Sequence, residues 1–147
     1  MIGSNIFNAP ELDMDMVAAI SAISPHIKLK PNDEDDRRFW ENDQNSSCWG
    51  EFNAIVKHLK PTASVLELGP GMGRSLVFLQ KMMGYHDYDV YESDGSYRDY
   101  DFDGIRDEST FCGNISQLEK VLKHNNITSY KVIDAKTHKL NSLTKKY

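Results

Sequence analysis

Hydrophobic positions along the chain fall into short stretches whose spacing switches between helical and strand periods. Met14, Val17 and Ile20 recur at helical spacing behind Pro10, with Pro25 after them, and predict a helix over about residues 10–24. From His26 to Ser47 the pattern is polar, with the acidic run Asp33-Glu34-Asp35-Asp36 followed by Arg37-Arg38, and reads as a solvated segment. Phe52, Ile55, Val56 and Leu59 then form one apolar stripe that predicts a helix from Glu51 to Lys60, ended by Pro61. Ser64-Val65-Leu66-Glu67-Leu68-Gly69 is an apolar run closing on glycine, the signature of a buried strand. Leu76, Leu79 and Met83 restore the helical period over Arg74–Met83, with Gly84 in the position of a C-terminal cap. Tyr88–Ser93 reads as a second strand and 95–111, rich in Asp, Gly, Ser and Tyr, as a long loop. Asn114 is placed to cap a helix bearing Ile115, Leu118, Val121 and Leu122, and Tyr130–Asp134 is a third strand.

Strands that alternate with helices predict βαβ units and a parallel sheet. The organisation expected is a segment over 1–47, with one helix and a polar stretch, and an α/β domain over 48–147. After Asp134 only a polar, lysine-rich stretch remains, with no room for a further βαβ unit, so the expected sheet is incomplete and consists of the first three strands only. Its first strand would then lie at an edge and invite self-association.

Composition narrows the function. At 39% hydrophobic and 27% charged residues the chain has an ordinary globular make-up. A formal net charge of −5 argues against a nucleic-acid partner, which needs a basic face. No apolar stretch is long enough to span a bilayer, and the N-terminus has no basic region ahead of its acids, so neither a membrane association nor secretion is expected. Cys48 and Cys112 are isolated, which fits free thiols in a reducing, cytoplasmic setting, and the histidines show no metal-ligand spacing, so no metal site is expected.

The chemistry concentrates in Val65-Leu66-Glu67-Leu68-Gly69-Pro70-Gly71-Met72-Gly73-Arg74-Ser75. A strand delivers the chain to three glycines at alternate positions, and a helix opens directly after them. Glycine permits positive φ and lets a ligand approach the backbone, while the helix start offers N–H groups and a partial positive charge. The dinucleotide fingerprint G-x-G-x-x-G needs a third glycine at 74 or 76, where Arg74 and Leu76 stand instead. An acid at the end of the second strand, about twenty residues after such a turn, suits a ribose hydroxyl pair. Asp94 has that spacing, with Glu92 as the alternative.

The E-x-G-x-G-x-G arrangement from Glu67 to Gly73 resembles motif I of the class I S-adenosylmethionine-dependent methyltransferases, and the similarity extends through Asp134. The resemblance implies a Rossmann-like parallel sheet with flanking helices. It implies S-adenosylmethionine as cofactor, with Gly69, Gly71 and Gly73 against it, Glu67 orienting the methionine amino group, Asp94 on the ribose and Asp134 on the adenine amino group. Ile133 departs from the small residue usual before that last acid. Phe102-Asp103-Gly104 ahead of Phe111 also resembles the macrocin O-methyltransferase type.

The function expected is therefore methyl transfer to a small-molecule acceptor, with this chain carrying the cofactor-binding half and inactive alone. The competing readings are an NAD(P)-dependent oxidoreductase or epimerase and a non-catalytic adenosylmethionine-binding fragment. The sequence singles out no catalytic base: Glu51, Trp49 and His26 precede the motif, but spacing distinguishes none of them.

Overall fold

A computed structural model describes residues 5–60, 64–96 and 112–147. Three parallel strands form the sheet: β1 (Val65–Leu68), β2 (Tyr88–Glu92) and β5 (Lys131–Asp134), in the order β1-β2-β5. Val65 pairs with Tyr88 and Leu68 with Tyr91, and Glu92 lies beside Asp134 at the far end. A separate two-residue ribbon joins β3 (Gly95–Ser96) to β4 (Cys112–Gly113), antiparallel. The expected fold is observed: a three-stranded parallel sheet with flanking helices, matching the first half of a doubly wound, Rossmann-like order. The tyrosines and phenylalanines of 97–111, and with them the Phe102-Asp103-Gly104 similarity, lie outside the described residues, as does Pro61.

Among the described residues four α-helices accompany the sheet: α1 (Met14–Ile23), α2 (Glu34–Ile55), α3 (Arg74–Met83) and α4 (Ile115–His124). Helices α3 and α4 follow their sequence signals. Gly84 closes α3 in the left-handed region, and Asn114 Oδ1 accepts from the Gln117 amide to start α4.

The first half of the chain corrects two expectations. Helix α1 is capped by Asp13, whose side chain accepts from the Met16 amide, so Pro10 stands before the helix. Its buried face is Met16, Ala19 and Ile20, whereas Met14 is exposed. The larger correction is α2. Residues 34–47, expected to be a polar segment, are helical, and the helix continues unbroken to Ile55 before a short 3-10 turn at Val56–His58.

The acidic run is the reason α2 begins where it does. Asp33 Oδ1 accepts from the amides of Asp35 and Asp36, and Glu34, Asp35 and Asp36 fill the first turn, where negative charge meets the positive end of the helix dipole. Arg37 and Arg38 pair with Glu34, and Arg37 also with Glu41, so both serve the helix itself.

The buried face of α2 is Trp40, Gln44, Asn45, Cys48 and Phe52, a helical stripe with two amides in it. Asn45 Oδ1 accepts from the amides of Ile6 and Phe7, each at 3.0 Å, and its Nδ2 donates to the carbonyls of Phe7 and Glu41. Asn125 holds the same N-terminal stretch from α4, accepting from the Asn8 amide and donating to the Asn8 carbonyl. Phe7, Leu12 and Met16 thereby join Trp40, Phe78, Leu118 and Leu122 in one core that also contains Tyr88 and Val90 of the sheet. On the opposite face of the sheet, Tyr91 Oη donates to the His138 carbonyl, and Lys145 and Tyr147 engage Asp89, so the segment after β5 lies there. Among the described residues no helix is long and apolar enough to cross a membrane.

Candidate functional site

The C-terminal ends of β1 and β2 and the start of α3 converge on the glycine turn. Gly69, Gly71 and Gly73 all have positive φ, at 64°, 59° and 74°. Their reasons for being glycine differ. A Cβ on Gly73 would lie 2.7 Å from Leu118 Cδ1 and 2.8 Å from Leu122 Cδ2, so Gly73 lets α4 approach α3. Among the described residues a Cβ on Gly71 would meet only Ile23 Cγ2 at 3.9 Å, so its requirement there is conformational. Gly69 continues the sheet, its amide donating to the Tyr91 carbonyl.

Helix α3 opens differently from its neighbours. Side chains cap α1, α2 and α4 (Asp13, Asp33 and Asn114), whereas α3 begins at Gly73 with no side-chain cap. Its leading N–H groups face the glycine turn without a capping side chain. Arg74, the first helical residue, is directed to Glu51 at 2.5 Å and to Gln44 at 3.4 Å on α2.

Glu67 lies beneath the turn. One carboxylate oxygen accepts from Ser75 Oγ and the other from Tyr88 Oη at 2.5 Å, which ties β1 to α3 and to β2. Burial pushes its carboxyl above the usual carboxylate range, against the pull of those two donors.

The two acids considered for the end of β2 go separate ways. Glu92 is 7% exposed, on the same sheet face as Tyr88 and Val90. Its Oε1 accepts from the Ser93 amide at 2.9 Å, while Oε2 is buried without a hydrogen-bond partner. Burial raises its carboxyl, opposed by the nearby amides of Ser93 and Gly71. Asp94 is exposed, and its Oδ1 accepts from the Ile115 amide at 2.7 Å, at the first turn of α4. The structure thus brings Glu92 beside the Gly71 amide and ties Asp94 to the first turn of α4.

Asp134 lies beside Glu92 in the strand register. Its Oδ1 accepts from Ser93 Oγ and from the Lys136 amide, both at 2.9 Å, and these donors hold its carboxyl below the usual carboxylate range. Gly113 covers this corner: a Cβ there would fall 1.9 Å from the Ser93 carbonyl oxygen and 2.5 Å from Glu92 Oε1, so β4 closes over Glu92 only because residue 113 has no side chain. Sequence spacing put Asp94 first with Glu92 as the alternative, and the signal for Glu92 was the two-residue alternation from Tyr88 through Val90.

No protein-family model, curated protein or solved structure matches this chain.

Proposed function

We propose that the chain binds S-adenosylmethionine over the glycine turn and contributes the cofactor-binding half of methyl transfer to a small-molecule acceptor. The observation that carries this reading is Glu92 Oε2. A buried carboxylate oxygen without a partner costs stability, and a ribose hydroxyl is a donor that would satisfy it. Three further features support it: three alternate positive-φ glycines, room above Gly71 among the described residues, and the start of α3 without a side-chain cap.

The residues present fit such a ligand. Glu92 would accept from the ribose hydroxyls, with Asp94 as the competing acid. Gly69, Gly71 and the leading amides of α3 would face the methionine carboxylate. Asp134, beside Glu92 and tied to Ser93, would border the adenine. Glu67 has both oxygens engaged by Ser75 and Tyr88 and would position the turn and the methionine amino group from below. When bound, the cofactor supplies a methyl group activated on a sulfonium. The protein's part is to orient it and to exclude water.

Calorimetric titration of the whole chain with S-adenosylhomocysteine and with NAD tests the reading. The expected result is saturable binding of the first and not the second, lost in Gly71→Val because a branched Cβ is strained at positive φ and enters the ligand space. Glu92→Ala should cost about 1.5–3 kcal/mol of affinity, the range for a hydrogen bond to a charged group, and Asp94→Ala much less. Preference for NAD, or unchanged binding by Gly71→Val, would overturn it.

A further inference from the structure

A second polar group is left buried and unpartnered, and it adjoins a cleft that meets the Glu92 corner at Gly113. Between α1 and the start of α4 lies an opening of about 410 Å³. Asp15, Ala18 and Ala22 form its α1 wall at successive turns, and Gly113, Ser116 and Gln117 form the other. Gln117 is 9% exposed, and its Oε1 has no hydrogen-bond partner. Its backbone amide is already taken by the Asn114 cap.

We infer that this cleft binds a small molecule carrying a primary amine on a flat apolar body, with the amine donating to Gln117 Oε1 and the body along Ala18 and Ala22. The orphan atom is an acceptor, so its missing partner is a donor. The lining includes the Asp15 carboxylate and, among the described residues, no cationic side chain. The positive end of α4 is already met by Asp94, whose carboxylate accepts from the Ile115 amide. The cleft therefore favours a cation over an anion. Alanines at 18 and 22 leave room for an apolar body where larger side chains would fill the space. The terminal torsion of glutamine is soft, so the carboxamide turns toward a donor at small cost. This inference stands on the cleft and on Gln117, and not on the cofactor reading.

The test is a titration of the isotopically labelled whole chain with benzylamine, benzyl alcohol and benzoate, followed by backbone amide NMR. Benzylamine is expected to bind in the millimolar range or tighter, as befits about eight non-hydrogen atoms, and to shift the amides of Ala18, Ala22, Ser116 and Gln117. Benzyl alcohol should bind more weakly, and benzoate should leave those amides unmoved. Gln117→Leu should weaken benzylamine about tenfold or more and raise the melting temperature of the ligand-free protein, since it removes an unpaired buried oxygen. Ala22→Leu, which fills the cleft from its open side, should abolish the shifts while the remaining spectrum stays native. Benzoate binding as well as benzylamine, shifts confined to other residues, or unchanged affinity in Gln117→Leu would each overturn the inference.

Discussion

Gly73 and Leu118 approach so closely that no side chain fits between them, a Cβ on the glycine falling 2.7 Å from the leucine Cδ1. The third glycine of the turn thus belongs to the packing of α3 on α4, and the first prediction separates it from Gly71. Gly73→Ala combines an overpacked core, where Leu118 and Leu122 are fully buried, with a left-handed backbone, and should destabilise by about 2–4 kcal/mol. Gly71→Ala meets, among the described residues, only Ile23 at ordinary distance and should cost about 1–2 kcal/mol, for the backbone alone. Urea unfolding of the two variants measures the difference. Equal losses would mean that both glycines do the same work.

The second prediction concerns pH. Burial raises the folded-state value of Glu92 above its ordinary 4.5, so its ionisation opposes folding. The stability this group contributes is present below its unfolded value and is lost as pH rises through the folded one. Glu92→Gln should therefore match the wild type near or below about pH 4 and become progressively more stable than it toward neutrality. Thermal melts across that range check the sign. A variant less stable than wild type at neutral pH would show that the Glu92 carboxylate is held by more than the Ser93 and Gly71 amides.

Much of the second half of the chain is legible in sequence, and much of the first is not, for a physical reason. Helices α3 and α4 carry their own caps, Gly84 and Asn114, and their buried faces are apolar: Leu76 and Leu79 in one, Leu118, Val121 and Leu122 in the other. Helix α2 buries Gln44 and Asn45 among Trp40, Cys48 and Phe52, so a hydrophobic count reads its first half as polar loop. Asn45 bonds to backbone nearly forty residues away and Gln44 accepts from Arg74 thirty residues on, pairings that no local pattern encodes. The glycine turn is equally visible, because backbone conformation demands particular residues. The acid that faces it is decided by the last residue of β2: Glu92 still obeys the alternation of the strand, whereas Asp94 lies beyond it and turns to α4.

The third prediction follows from that long-range amide. Asn45→Ala removes the acceptor for the Ile6 and Phe7 amides and the donor to the Phe7 and Glu41 carbonyls, in a site where Phe7 is fully buried. Several backbone groups are left unpaired out of water, and the expected loss is about 2–4 kcal/mol. Hydrogen exchange should accelerate first at residues 6–9, ahead of α3 and α4. A loss below about 0.5 kcal/mol would mean that water replaces the asparagine at no cost.

The last prediction concerns β1. Among the described residues its only sheet partner is β2, so β1 is an edge of the described sheet. The amides of Val65 and Gly69 donate to β2-side carbonyls, and by the alternation of the strand those of Leu66 and Leu68 point the other way. Leu68 is also 53% exposed, which leaves an apolar side chain beside backbone groups that no described strand pairs. Such an edge is a template for another strand, and natural edges are commonly guarded by a lysine or a proline that β1 lacks. The chain should therefore self-associate as its concentration rises, with β1 against β1 of a second copy. Leu68→Lys places a charge at the exposed position without entering the core, and should shift the protein toward monomer with little change in unfolding midpoint. Light scattering coupled to size exclusion, run over a concentration series for both proteins, is the measurement. A wild-type chain that stays monomeric throughout would show that its four-residue edge is too short to recruit a partner, and an oligomer indifferent to Leu68→Lys would place the contact elsewhere.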